Sequence, residues 1–526
     1  ATHHIYAKES MNNLKAKLQK FYYSKELIWA LFVVGILLRL RQYVSNRSLW
    51  VDEAALAVSL VGRSFSGLLS PLEYGQTAPL GFLMVVKTAV QMLGPSEYTM
   101  RLFPLVAGIL SLFLFHRVAV KFLDRSAVPL AVGILAISQP LIYFSSELKQ
   151  YSVEVLITLV ILCLAIRMWE APPVRPAQTM LYGLWGAITI WFSYPAAFFL
   201  TGAAAVLGYK INKERKAPLW PLIAIFGLWL ASILACYFFS QRYVSGDSIR
   251  IRLEDFWQEG FMPLVPSVKA VQWYMRTFFN TFEFPGGFGQ SGLAAFAFIA
   301  GIVSLRLQKK TIGLGLLTVP ILAALAASAL RVYPFDDRLI LYLVPLFILL
   351  VAEGTVMVKR SLGRSANFLG VAFVVLLLIK PAVMSLFCAV YPITREESRP
   401  VFLYLKERIQ PEDTLYMYHS SRKAFHYYQL RYNFLHPYLE AVNSRDKVSR
   451  YIDDLQQLQG KARVWIFFTH VFEDNGFDER KFILNYLDRV GSRLDEFKVP
   501  AKGVPGLRGT DSAVYLYDLS KPFAVK

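Results

Sequence analysis

The chain has 526 residues, of which 55% are hydrophobic and only 18% charged, and its mean hydropathy of +0.41 excludes soluble globular, disordered and collagen-like classes. Its 56 Lys and Arg against 37 Asp and Glu leave a net charge of +19. In so apolar a chain that excess belongs to basic cytoplasmic loops and contacts with anionic membrane lipid, not to nucleic acid. Three cysteines are too few for a disulfide framework.

Residues 1–10, ahead of Met11, read as an artificial extension and not as a signal peptide. Lys15, Lys17, Lys20 and Lys25 precede the first apolar run and mark the N-terminus as cytoplasmic. A helix spanning the hydrocarbon core needs about 20 apolar residues. Such runs predict spans at 27–44, 102–120, 127–144, 153–169, 179–193, 195–210, 219–239, 292–307, 311–330, 339–358 and 367–389, about eleven in all. The run Pro79–Leu93 is shorter and carries Lys87, so it reads as an interfacial or re-entrant helix in the first outer loop. The loops holding Arg117/Lys121/Arg125, Lys210/Lys213/Arg215/Lys216 and Lys359/Arg360/Arg364 are basic and follow the positive-inside rule. Strict alternation does not put Arg167/Arg175 and Arg306/Lys309/Lys310 on that same side, which leaves the count open by about two spans. An odd total places the C-terminus outside.

From 391 onward the chain becomes charged. Strands are predicted at Thr414–His419, Val464–His470, Asp495–Val499 and Ala513–Leu519, and amphipathic helices at 398–409, 446–459 and 477–490. The predicted fold is a polytopic α-helical membrane protein with a C-terminal extracytoplasmic α/β domain. Its transmembrane module covers 11–390, with outer loops 45–101 and 240–291, and its soluble domain covers 391–526.

The chemistry-bearing groups gather in the outer loops. Asp52 and Glu53 are adjacent carboxylates just after the first span, and Arg39 and Arg41 lie at its outer end against the charge trend. Gln76 precedes the short helix, and Arg101 opens the second span. Glu147, Lys149 and Tyr151 lie in the turn between the third and fourth spans, and Arg331, Asp336, Asp337 and Arg338 between the ninth and tenth. Singly, Arg39 and Arg41 read as side chains snorkelling to headgroups and the others as solvated loop groups. Together they suit the handling of a lipid-borne anion at a bilayer surface. Gly287–Gly292 fits G-x-G-x-x-G but has no strand before it, and the histidines of the C-terminal region lack metal-ligand spacing.

Leu49-Trp50-Val51-Asp52-Glu53-Ala54, Gln76-Thr77-Ala78-Pro79-Leu80-Gly81-Phe82 and Met100-Arg101-Leu102-Phe103-Pro104 resemble segments of the membrane-embedded GT-C glycosyltransferases. The likeness is to the branch containing protein O-mannosyltransferases and lipid A aminoarabinose transferases. Glu147-Leu148-Lys149-Gln150-Tyr151 and Tyr333-Pro334-Phe335-Asp336-Asp337-Arg338 also resemble bacterial members, so the likeness covers about 30–360. It implies a multi-pass protein of a bacterial inner membrane. It further implies a polyprenyl-phosphate-linked sugar as donor and a glycan, lipid or protein acceptor reached from the outer face. By this likeness Asp52 corresponds to the catalytic carboxylate and Arg101 to the arginine opening the next span. Thr77-Ala78-Pro79 stands where the mannosyltransferases show His-Pro-Pro, so their substrate preference does not transfer.

The expected chemistry is inverting transfer. A sugar phosphate already has a good leaving group, so one carboxylate suffices to take the acceptor proton. Asp52 is the expected base with Glu53 in support, and Arg39, Arg101, Lys149 and Arg338 the expected phosphate ligands. Gln76, Glu147 and Tyr151 are further site candidates. Oligosaccharyltransferases of the wider superfamily use a divalent metal; no ligand set is evident here and no cofactor is expected. A transporter and a membrane-anchored binding or scaffold protein are the alternative classes. A transporter would show two related halves, and no internal repeat is visible.

Overall fold

The computed structural model describes residues 17, 19–214, 219–241, 256–363, 366–444, 449–471, 473–474, 477–504 and 506–521. Residues 1–10, Lys15, Arg215, Lys216, Arg364 and part of the 240–291 segment lie outside them. The chain divides into two compact units. Unit 1 comprises Ala1–Val44, Ala78–Phe82 and Arg101–Tyr391, and unit 2 comprises Ser45–Thr77, Leu83–Met100 and Pro392–Lys526.

Unit 1 is helical. Among the described residues seven helices are long and apolar enough to cross a membrane. They are α1 (Lys25–Val44), α4 (Glu97–Phe122), α7 (Tyr151–Glu170), α10 (Trp220–Ser240), α13 (Thr311–Ala329), the stretch Asp337–Ser361 and α15 (Asn367–Val390). Helices also stand at the other predicted spans: α5 (Val128–Ile137) with α6 (Gln139–Phe144), α8 (Pro176–Thr189), α9 (Ala196–Glu214), whose apolar part is Ala196–Lys210, and α12 (Ser291–Leu307). The predicted span 127–144 is two helices, because Ser138 takes an extended conformation (ψ 111°) and Pro140 supplies no N–H to continue the ladder. The stretch Asp337–Ser361 opens as a 3₁₀ turn over Asp337–Leu343 before α14 (Val344–Ser361).

That stretch is 89% buried, the most enclosed of the seven. α12 packs along α14 through two glycines. A Cβ on Gly354 would stand 1.8 Å from the Ala297 carbonyl oxygen, and one on Gly301 would stand 2.0 Å from that of Leu350. Backbones this close admit no side chain, the small-residue contact by which apolar helices associate in lipid.

One end of this bundle carries a polar lock. Glu353 accepts from Ser304 Oγ and from the Asp124 backbone N–H, each at 2.8 Å. Arg360 donates to both Asp124 carboxylate oxygens at 2.8 Å. Those bonds, helped by Ser126, hold the Asp124 carboxyl well below its ordinary value. A depressed folded value means that the pair stabilises above the unfolded value, near 3.8, and that this stabilisation is lost as pH falls further. Arg360 is 59% exposed, so the contribution is at most about 1 kcal/mol. Asp124→Asn is expected to lower unfolding free energy by up to that amount near pH 7 and by less near pH 2, measured by denaturant titration in detergent. Equal losses at both pH values would refute the pairing.

Unit 2 is built on a five-stranded sheet of order β2-β1-β3-β7-β6. Its strands are β1 (Thr414–Met417), β2 (Tyr438–Glu440), β3 (Lys461–Phe468), β6 (Ser492–Val499) and β7 (Ser512–Leu519); β4 (Glu473–Asp474) and β5 (Phe477–Asp478) form a separate ribbon. β1 runs parallel to both β2 and β3, while β7 runs antiparallel to β3 and β6. The four predicted strands are present, as are the helices α16 (Ser398–Arg408), α18 (Ser449–Gln456) and α19 (Glu479–Val490). The sequence reading missed β2 and the aromatic helix α17 (Arg422–Tyr432). Val464, Ile466, Phe468, Tyr515, Tyr517 and Leu519 form the core with Ile483 and Leu487 of α19.

Most of the first outer segment, Ser45–Thr77 and Leu83–Met100, belongs to this unit and not to the helical one. Its helix α2 (Val51–Gly62) packs on α17, and Ser48 Oγ donates to Glu397 Oε2 at 3.0 Å. The Arg399 guanidinium donates to the Asn46 carbonyl at 2.7 Å. These partners are about 350 positions apart, so no local pattern announces them.

Candidate functional site

The Asp-Glu pair opens α2, and the helix start gives its two members different environments. Glu53 is fully buried and its Oε2 accepts the Trp50 backbone N–H at 2.9 Å, capping an otherwise orphaned donor. Arg47, also buried, lies 3.9 Å from the same oxygen. Asp52 is only partly buried, in the first turn, where the helix dipole favours a carboxylate. Gln76, in the same unit, follows the 3₁₀ turn Glu73–Gly75 and donates its backbone N–H to the Glu73 carbonyl.

Trp50, the residue before this turn, is clasped by groups that the sequence reading passed over. The Arg395 guanidinium lies 3.7 Å from its ring centroid, and the His470 ring meets it edge-on at 4.5 Å. His470 holds a left-handed backbone (φ 51°), and its Nδ1 is 3.5 Å from Glu396. The Glu396 carboxylate is buried and neither oxygen has a hydrogen-bond partner. Only the adjacency of Arg395, Glu396 and Glu397 to the last span signalled these residues in the sequence; His470 looked like an ordinary histidine.

A second buried charge anchors the end of the same outer segment. Glu97, with no exposed surface, is paired with Arg431 and with Arg399 at 3.2 Å, and accepts from the Tyr428 hydroxyl at 3.2 Å. Burial and the Glu97 charge raise the Tyr428 phenol well above its ordinary value, so it remains a donor.

The remaining expected site residues lie in unit 1. Arg39, Arg101, Glu147, Lys149 and Tyr151 are all buried, with at most 6% of their surface exposed. The snorkelling reading of Arg39 and the solvated-loop reading of the others fail, because polar side chains leave water only where something in the structure holds them. Arg39 has a structural task. Its Nη1 donates to the carbonyls of Gly35 and Ala136 and its Nη2 to that of Leu135, tying α1 to the end of α5. Only its Nε lacks a partner. The Lys149 backbone N–H bonds the Glu147 carbonyl at 2.7 Å, closing the turn that leads into α7.

Arg338 lines a cavity of about 450 Å³ with Trp257, Gln258, Glu259, Asp336 and Asp337. Its guanidinium carbon is 6.0 Å from the Trp257 ring centroid. Asp337 sits in the left-handed region (φ 46°), which sharpens the turn into the 3₁₀ segment. Among the described residues no three His, Cys, Asp or Glu side chains come together to hold a metal ion.

Neither a protein-family model nor a curated protein matches the sequence. Solved structures do match. Apo ArnT from Cupriavidus metallidurans is 14% identical, with 94% of this chain and 98% of that one covered and a TM-score of 0.51. ArnT bound to undecaprenyl phosphate is 13% identical over 93% and 97%, also at 0.51. The fold is the GT-C fold. The GT-C likeness thus extends over nearly the whole of this chain and nearly the whole of ArnT. It includes the C-terminal region that the sequence resemblance, ending near 360, did not reach.

Proposed function

We propose that the chain is an inverting GT-C glycosyltransferase that moves a sugar from a polyprenyl-phosphate carrier to an acceptor hydroxyl. One observation carries this reading: in the Asp52-Glu53 pair, Glu53 is consumed as a buried cap while Asp52 stays partly exposed at the helix start. The fold supports it, and so does the undecaprenyl phosphate bound to ArnT. Asp52 takes the proton of the acceptor hydroxyl as its oxygen attacks the anomeric carbon. The bond from that carbon to the phosphate oxygen breaks, and the electron pair leaves with polyprenyl phosphate. Arg101, Lys149 and Arg338 are the cations assigned to the leaving phosphate. Arg39 is left out of that set because its terminal nitrogens hold backbone carbonyls. The reading keeps the N-terminus in the cytoplasm and the C-terminal region outside, which protease digestion of sealed vesicles of known orientation checks.

The experiment is donor binding and turnover in lipid nanodiscs with undecaprenyl phosphate and its sugar-linked forms. Arg338→Ala is expected to weaken undecaprenyl phosphate binding about tenfold or more, the scale of a lost charge-assisted bond. Arg338→Lys should recover only part of it, because the planar fork is lost. Asp336→Asn and Asp337→Asn should leave affinity unchanged. Unaltered affinity in a folded Arg338→Ala protein removes Arg338 from the phosphate set. Failure of the unmodified protein to bind or turn over any of these lipids rejects the function itself.

A further inference from the structure

Unit 1 buries a set of polar atoms that the reaction above does not use. Gln150 and Glu154 stand four residues apart at the start of α7 and so share one helix face. Glu154 is 1% exposed, and its Oε2 has no hydrogen-bond partner. Neither has Gln150 Oε1, nor the hydroxyl of the fully buried Tyr342. These groups share one neighbourhood. α7, which carries Glu154, packs against the 3₁₀ segment Asp337–Leu343, which carries Tyr342, and against α9, which carries Phe198. The Tyr333 and Tyr342 ring centroids are 6.2 Å apart, and Phe198 lies 5.7 Å from the first and 6.1 Å from the second. The Tyr333 hydroxyl donates to the Leu339 carbonyl at 3.0 Å, which fixes this ring to the turn that carries Arg338.

Within a membrane helix bundle no bulk water satisfies such atoms, and each stays costly until a ligand meets it. The composition indicates what that ligand is. A carboxylate oxygen and an amide oxygen accept hydrogen bonds, a phenol can give or take one, and the aromatic rings offer flat apolar faces. A sugar ring presents hydroxyl donors around its rim and C–H groups on its faces. We infer that Gln150, Glu154 and Tyr342, walled by Tyr333 and Phe198, bind the sugar ring of the donor and set which sugar is carried. This rests on the polyprenyl-phosphate-sugar reading above. The competing occupant is a metal cation held by the same oxygens.

The test uses the full chain in nanodiscs, with undecaprenyl phosphate alone and with undecaprenyl phosphate carrying a hexose or a pentose as probes. Glu154→Gln and Tyr342→Phe keep shape and remove one polar function each. The unmodified protein should bind at least one sugar-linked lipid about tenfold or more tightly than the bare lipid. Both variants should lose that preference while holding bare-lipid affinity within about twofold and melting temperature nearly constant. No preference in the unmodified protein, or an intact preference in both folded variants, overturns the subsite. A melting shift with Mg²⁺ or Zn²⁺ that Glu154→Gln abolishes, with sugar preference intact, identifies a cation site and overturns it as well. If the unmodified protein binds bare undecaprenyl phosphate but ignores the sugar, this inference fails while the phosphate reading stands. If it binds no polyprenyl lipid at all, the proposed function fails and takes the subsite with it. Should Glu154→Gln not fold, Tyr342→Phe, which deletes a single oxygen, decides alone.

Discussion

Asp52→Asn is expected to lower glycosyl transfer by about 10²- to 10⁴-fold with expression and melting temperature unchanged. Asn preserves the size and the acceptor oxygen of the side chain in the first turn of α2, so the helix start survives. It cannot take a proton from the attacking hydroxyl. The neighbouring carboxylate supplies the contrast. Glu53 is buried and bonded to the Trp50 backbone N–H, and its loss would disturb the turn itself. Glu53→Gln can still accept that bond, so its defect should be smaller than that of Asp52→Asn, whereas Glu53→Ala should cost stability. Transfer rates and thermal melts on the three variants separate a proton acceptor from a cap. Near-normal transfer by folded Asp52→Asn protein would end the proposed role of Asp52.

Glu97→Ala is expected to destabilise unit 2 by about 3–5 kcal/mol, the cost of breaking a buried ion pair from one side. The Glu97 carboxylate has no exposed surface and serves Arg399, Arg431 and the Tyr428 hydroxyl together. Removing it leaves two guanidinium groups, each about four-fifths buried, facing each other without a counter-charge. Glu97→Gln keeps an acceptor for Tyr428 and should cost less. Chemical denaturation followed by proteolysis of the C-terminal region gives the number. A loss below about 1 kcal/mol would mean that water reaches the cluster and screens it, as it does for surface pairs.

The long apolar helices were legible in the sequence because the requirement they meet is local: the hydrocarbon core demands an unbroken run of apolar residues. Strands β1, β3, β6 and β7 were legible for a similar reason, since β-branched and aromatic runs bounded by turns mark themselves. The break at Ser138–Pro140 was written in the chain but hidden inside an apolar run of spanning length. Strand β2 is three residues long and exists only because β1 lies beside it.

The candidate site divides in the same way. By itself the sequence determined that the chain carries long membrane-spanning runs and that a charged α/β region follows the last of them, and it singled out Asp52-Glu53 as a candidate pair. Composition, run length and residue identity carry those facts, and none needs a distant partner. Tertiary structure alone decided which carboxylate is the cap, that Arg39 holds carbonyls while Arg338 lines a cavity, and that the first outer segment folds with residues some 350 positions away. It alone brought Glu396 to His470, and α7, with Glu154, to the segment that carries Tyr342. Burial and hydrogen-bond satisfaction are properties of a packed environment, and a charged residue reads identically in a string whether it ends in water or inside the protein.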